Sequence, residues 1–125
     1  MPAEFTKQII DVIEIYLDGL YECDTAKLRR AFNEHACLLS IADGKVASLP
    51  LENWCKLVEG RASPKSQNFA RTHERILQIQ ETAPNGAVVR LQCAAPGKLF
   101  TDQLTLLKAE GRWQIVNKVF HTDAI

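Results

Sequence analysis

Apolar residues at Phe5, Ile9, Ile13, Tyr16, Leu17 and Leu20 recur at helical spacing, which predicts an amphipathic helix from Ala3 to about Glu22. Pro2 suits its opening turn. Ile10, Val12 and Ile15 add a second apolar flank, so more than one neighbour should cover this helix. In "CDTAKLRRAFNEH" the pattern restarts: Asp24 or Thr25 can accept from the free N–H groups of a short second helix with Leu28, Ala31 and Phe32 inward. "ACLLSIADGKVASL" is rich in strand formers around Asp43-Gly44, a two-residue hairpin signal. Pro50 opens a third helix, "PLENWCKLVEG", with Leu51, Trp54, Cys55 and Val58 on one side and Gly60 as its stop. "RASPKSQNFA" shows no periodicity and is expected to be a loop.

The remainder predicts four strands, "THERILQIQE", "AVVRLQCAA", "LFTDQLTLLK" and "RWQIVNKVFH", joined by turns at Asn85-Gly86, Pro96-Gly97 and Glu110-Gly111. Helices come first and long strands last. The class is therefore α+β, a curved antiparallel sheet with three N-terminal helices on one face, in a single domain spanning residues 1–125.

Residues of one parity in a strand share a face. Phe100, Asp102, Leu104 and Leu106 alternate with Thr101, Gln103 and Thr105, so Asp102 should look inward among apolar neighbours. A buried carboxylate is costly unless it is partnered. Ala87, Val89, Leu91 and Cys93 mark the inner face of their strand. In the last strand Trp113, Ile115, Asn117, Val119 and His121 form the expected inner set, opposite Gln114, Val116, Lys118 and Phe120. "THERILQIQE" does not decide: Leu77 and Ile79 go with His73 and Arg75, Ile76 with Thr72, Glu74 and Gln78.

Composition narrows the classes. The 125 residues are 46% hydrophobic and 24% charged, ordinary globular usage. Fifteen basic residues balance fifteen acidic ones without a basic stripe, which argues against nucleic acid or an anionic membrane as partner. "MPAEFTKQII" lacks the pattern of a signal peptide, and no apolar run approaches the roughly 20 residues that span a bilayer. Cys23, Cys37, Cys55 and Cys93 have no zinc-like spacing and sit beside apolar residues. A reduced, metal-free, cofactor-free cytoplasmic protein is expected.

If the inner faces meet, an apolar wall holds Asp102, Asn117, His121 and one of His73 or Arg75, the composition of a small-molecule pocket. A satisfied core bond from Asp102 to Arg75 or to a backbone donor is the structural alternative. His121 is the candidate acid/base, since histidine titrates near neutral pH, although its place at a strand end suits solvent equally. His73 can line the pocket mouth, and His35 is expected to cap or lie on the surface. Trp54 and Trp113 are core residues that can also stack on a planar ligand.

The element order and the ending "FTDQLTLLKAEGRWQIVNKVFH" carry a resemblance. A D-x-L strand, a Gly turn and a W-x-I-V-N-K-x-F strand resemble the closing hairpin of the putative lumazine-binding, polyketide cyclase-like (SnoaL-like) branch of the nuclear transport factor 2-like superfamily. "CDTAKLRRAFNEHACL" looks like that family's second helix and entry to its first strand. The resemblance implies a cone-shaped fold, which hosts enzymes, binders and adaptors alike. Ketosteroid isomerases of this fold use a tyrosine and a protonated aspartic acid as oxyanion hole, with a separate aspartate base. Tyr16 resembles the position of that tyrosine and Asp102 that of the acid, but the base position falls on Ser40, which counts against isomerase chemistry.

Three functions follow as expectations. The first is a binder of a small apolar or aromatic ligand, contacted by Tyr16, Trp54, His73, Asp102, Asn117 and His121. The second is a cyclase, isomerase or dehydratase in which His121 moves a proton while Asp102 and Tyr16 stabilise an oxyanion. The third is a dimeric module joined through an outer sheet stripe of Val116, Phe120, Ile76 and Val88, and a homodimer is compatible with the other two.

Overall fold

The computed structural model describes residues 3–125. Helix α1 spans Ala3–Glu22 and α2 spans Thr25–Ala31. Strands β1 (Phe32–Ala42) and β2 (Lys45–Pro50) form a hairpin, followed by α3 (Leu51–Glu59). After a single 3-10 turn at Lys65–Gln67 come β3 (Arg75–Ala83), β4 (Gly86–Ala95), β5 (Lys98–Ala109) and β6 (Arg112–Ala124). Pro2, expected at the opening turn of α1, lies outside the described residues.

Local chemistry sets the boundaries. The Asp24 side chain caps α2 by accepting from the Lys27 N–H. Phe32, expected on α2, is instead extended and starts β1, and its ring still enters the core. His35 therefore lies within β1, on its exposed side. Gly19 lets α2 close on α1: a Cβ there would stand 2.8 Å from Leu28 Cδ2. Glu110 and Gly111, at φ 54° and 74°, make the left-handed turn that joins β5 to β6 with strand-compatible twist.

The six strands form one curved, open sheet in the order β2-β1-β6-β5-β4-β3. All pairs are antiparallel except β1–β6, which is parallel, so the sheet is mixed rather than purely antiparallel. The chain returns to place its last strand beside its first. The core gathers Ile9, Ile13 and Tyr16 of α1, Leu28 of α2, Trp54 and Val58 of α3, and the inner residues of β4, β5 and β6.

Two bulges change which side chains face that core. On β6, Ile115 pairs with Leu106 and Asn117 with Thr105, leaving Val116 as an extra residue. Beyond it the parity of β6 reverses. Lys118, Phe120 and Thr122 now share the inner face with Leu104, Asp102 and Phe100, while Asn117, Val119 and His121 pair with Thr105, Gln103 and Thr101 on the outer face. The expected inner positions of Asn117 and His121, and the expected outer position of Phe120, are thus exchanged. On β3, Leu77 is the extra residue, and Ile76 and Ile79 pair with Leu91 and Val89, so Ile76 also belongs to the inner side.

Candidate functional site

Asp102 lies where alternation along β5 requires, between Leu91 of β4 and Phe120 of β6. It is 1% exposed. Its partner comes from across the core: Tyr16 of α1 donates its phenol O–H to Asp102 Oδ2. Asp102 Oδ1 has no hydrogen-bond partner. Burial, then the neighbouring Asp102 carboxylate, hold the Tyr16 phenol well above the ordinary tyrosine range. Arg75, the alternative partner, is on the exposed side of the sheet edge.

Lys118 is the side chain that alternation misplaced. The Val116 bulge turns it inward between Leu38 of β1 and Leu104 of β5, where it is 6% exposed. Its ammonium nitrogen stands 4.7 Å from the ring centre of Trp54, 5.0 Å from Phe120 and 5.2 Å from Tyr16. Aromatic faces carry a negative quadrupole and hold a cation there. Among the described residues the Lys118 ammonium makes no ion pair and no hydrogen bond, and its nitrogen keeps some exposure to the adjoining space.

Lys118, Trp54, Phe100 and Phe120 border a cavity of about 630 Å³ between the sheet and the helices. Leu17, Leu20, Leu38 and Leu49 extend its apolar wall, and Ser40, Ser48 and Thr122 supply hydroxyls. Cys93 lies on the same wall. Burial, with the Asp102 charge adding and Lys118 opposing, pushes its thiol up to about 12. Arg61, Gln67, Glu74 and Lys98 surround the cavity's polar side. There Arg71 ties the loop down: it bridges Glu74 at 2.6 Å and Asp18 at 2.9 Å and lies over the Tyr21 ring, whose hydroxyl donates to the Phe69 carbonyl at 2.7 Å.

Of the residues singled out in the sequence, Tyr16 and Asp102 meet each other, and Trp54 borders the cavity. Tyr16 and Asp102 stand behind the wall rather than on it, because neither lines the open space. The His121 side chain is 71% exposed on the outer face and bonds Asp123 at 2.9 Å. Asn117 shares that face. His73 is exposed and stacks on Phe69 at the loop, outside the cavity lining. Among the described residues no group of three His, Cys, Asp or Glu side chains is placed to hold a metal ion, and no helix is long and apolar enough to cross a membrane. Lys118 is the residue that sequence reading missed. The signal was the pair Ile115-Val116, two adjacent apolar residues that interrupt alternation.

Chemically, the arrangement can enclose an apolar molecule and present it with one amine at the floor. A proton relay through His121 would have to cross the sheet.

Comparison with known proteins agrees with this architecture. A nuclear transport factor 2-like protein of unknown function from Shewanella baltica OS155 superposes with TM-score 0.85 at 24% identity, covering 100% of this chain and 98% of that one. A similar protein from Silicibacter pomeroyi DSS-3 gives TM-score 0.81 at 23% identity, over 98% and 100% of the two chains. A putative scytalone dehydratase from Novosphingobium aromaticivorans DSM 12444 gives 0.65 at 19%, over 94% and 83%. In sequence, the aldolase FrzH of a Cladobotryum species is 22% identical over 116 residues, 91% of this chain and 88% of that protein. Residues 4–121 match the family model described as putative lumazine-binding, and the chain belongs to that family.

Proposed function

We propose that the protein binds a small apolar or aromatic molecule in the cavity between its sheet and helices. The observation that carries this is the cavity itself: its volume falls in the range of small-ligand sites, and its wall is largely aliphatic and aromatic with few polar groups. The family's description names a planar aromatic ligand, lumazine, and the aldolase and dehydratase relatives are named for reactions of small organic molecules. Native mass spectrometry of protein taken directly from its host tests it. A retained small molecule, lost on unfolding, is the expected result. A bare protein mass, together with no change in Trp54 fluorescence on titration with planar aromatics, would overturn it.

The alternative, an enzyme of the cyclase, isomerase or dehydratase type, is supported by the names of those relatives and by the Tyr16–Asp102 pair. The Tyr16 hydroxyl proton is directed at Asp102 and not toward the cavity, and His121 is on the opposite face of the sheet. Binding therefore has the better support.

We also propose a homodimer through the outer sheet face. Leu107 and Val119 are 49% and 43% exposed on that face, beside Val88. Light scattering should give twice the chain mass, falling to one with Val119→Lys. A strict monomer for the wild type would remove the idea.

A further inference from the structure

We propose that the ligand of this cavity is an apolar organic acid, whose anionic oxygen sits on the Lys118 ammonium while its hydrocarbon or aromatic body lies among Trp54, Phe100 and Phe120. The inference rests on the small-ligand reading above and specifies the class of molecule.

The first support is what Lys118 lacks. An ammonium has three N–H donors and no acceptor. Three aromatic rings surround it, and their faces offset part of the cost of holding a charge largely out of water. That cost is not fully recovered by rings alone. Rings also leave the N–H groups without conventional acceptors. A carboxylate, phenolate or enolate oxygen in the adjoining space would supply both an acceptor and the opposite charge, the strongest kind of hydrogen bond open to it.

The second support is the balance of charge around the cavity. Three cationic side chains border it, Lys118 at the floor and Arg61 and Lys98 toward the polar side, against a single acid, Glu74. Glu74 is already held by two bonds from Arg71, at 2.6 and 3.0 Å. Asp102, two residue pairs along the strands from Lys118, is bonded by Tyr16 behind the wall. The side chains that line the cavity therefore carry a net positive charge, with the Asp102 carboxylate set behind them, and low-dielectric walls concentrate the field of the lining. An anion is drawn in, a cation repelled, and a neutral amide offers only an uncharged acceptor, the weaker partner for the ammonium.

Three probes of one shape separate these cases: naphthalene-2-carboxylate, its primary amide, and naphthalen-2-ylmethylammonium, titrated calorimetrically at neutral pH. The carboxylate should bind wild-type protein about tenfold or more tighter than the amide, as expected for one charged hydrogen bond, with the ammonium weakest. In Lys118→Met the preference for the carboxylate should vanish while the amide keeps its affinity. Equal binding of acid and amide to the wild type overturns the inference but leaves small-ligand binding standing. Failure of all three probes to bind counts against both. A preference that survives Lys118→Met and falls in Arg61→Ala or Lys98→Ala assigns the anion elsewhere and also overturns the placement. Should Lys118→Met fail to fold by circular dichroism, Lys118→Arg must retain the acid preference. The wild-type ratio of acid to amide decides independently of any variant.

Discussion

The hydroxyl of Tyr16 and the carboxylate of Asp102, 86 positions apart in the chain, meet in a hydrogen bond that ties α1 to β5 through the centre of the core. Asp102 Oδ1 remains unpartnered beside it. The pair explains how an acid can stand on the dry face of a strand, since a buried carboxylate is tolerable when a donor is built opposite it. Removing one partner should cost more than removing both. Tyr16→Phe should destabilise the fold by about 1–3 kcal/mol in urea unfolding, and Asp102→Leu added to it should recover part of that loss. Additive losses in the double variant would show that the two groups do not act as a pair.

The burial of Tyr16 beside the Asp102 carboxylate also sets an alkaline limit. Because the Tyr16 phenol is raised in the folded state, its contribution to stability is complete below the unfolded value of about 10 and is lost as pH climbs above it. In a rising pH titration, part of the tyrosinate absorbance should appear only together with the loss of circular dichroism, and that part should be missing in Tyr16→Phe. Full ionisation of both tyrosines within a native spectrum would contradict this.

Inserting a residue after Asn117 should be far more damaging than deleting Val116. The deletion removes only the extra residue of the bulge and leaves Asn117 directly after Ile115, so Asn117 still pairs with Thr105 and Lys118 with Leu104. An alanine inserted between Asn117 and Lys118 instead shifts the strand by one, turning Lys118 and Phe120 outward and Val119 and His121 toward the core. A chain without cooperative thermal unfolding is expected for the insertion, whereas the deletion should unfold cooperatively. A well-folded insertion variant would mean that pairing with β5 is not what fixes the faces of β6.

Cys93 borders the cavity yet should react slowly. Its thiol is pushed up to about 12, chiefly by burial, and only the thiolate is alkylated at an appreciable rate. Iodoacetamide at neutral pH should leave Cys93 unmodified in native protein and modify it in urea, read by peptide mass spectrometry. Rapid native labelling would contradict the burial of its sulfur.

Much of the fold was legible because periodicity and turn chemistry agree along this chain. The 20-residue stripe of α1, the Asp24 cap and the Asp43-Gly44 and Glu110-Gly111 turns each carry a local cause. The strand positions of Asp102 and Tyr16's helical stripe also sufficed to put both in the core. What simple alternation could not carry was the face of β6 beyond Val116, because the only trace of the bulge is the adjacent apolar pair Ile115-Val116, which a regular strand can also contain. That single residue moved His121 and Asn117 out and Lys118 in. Ile76-Leu77 on β3 repeats the lesson, with two neighbouring apolar residues at a second bulge. The β1–β6 partnership joins segments about eighty positions apart, and neither segment's pattern records which strand lies beside it.

The position of β6 between β1 and β5 also bears on how the protein is made. The ribosome delivers this central strand after the five others, so the early hairpin and the later meander must wait as separate ribbons with unpaired edges. Such edges invite association with other nascent chains, and the amine-bearing floor exists only once the final strand has slotted between them.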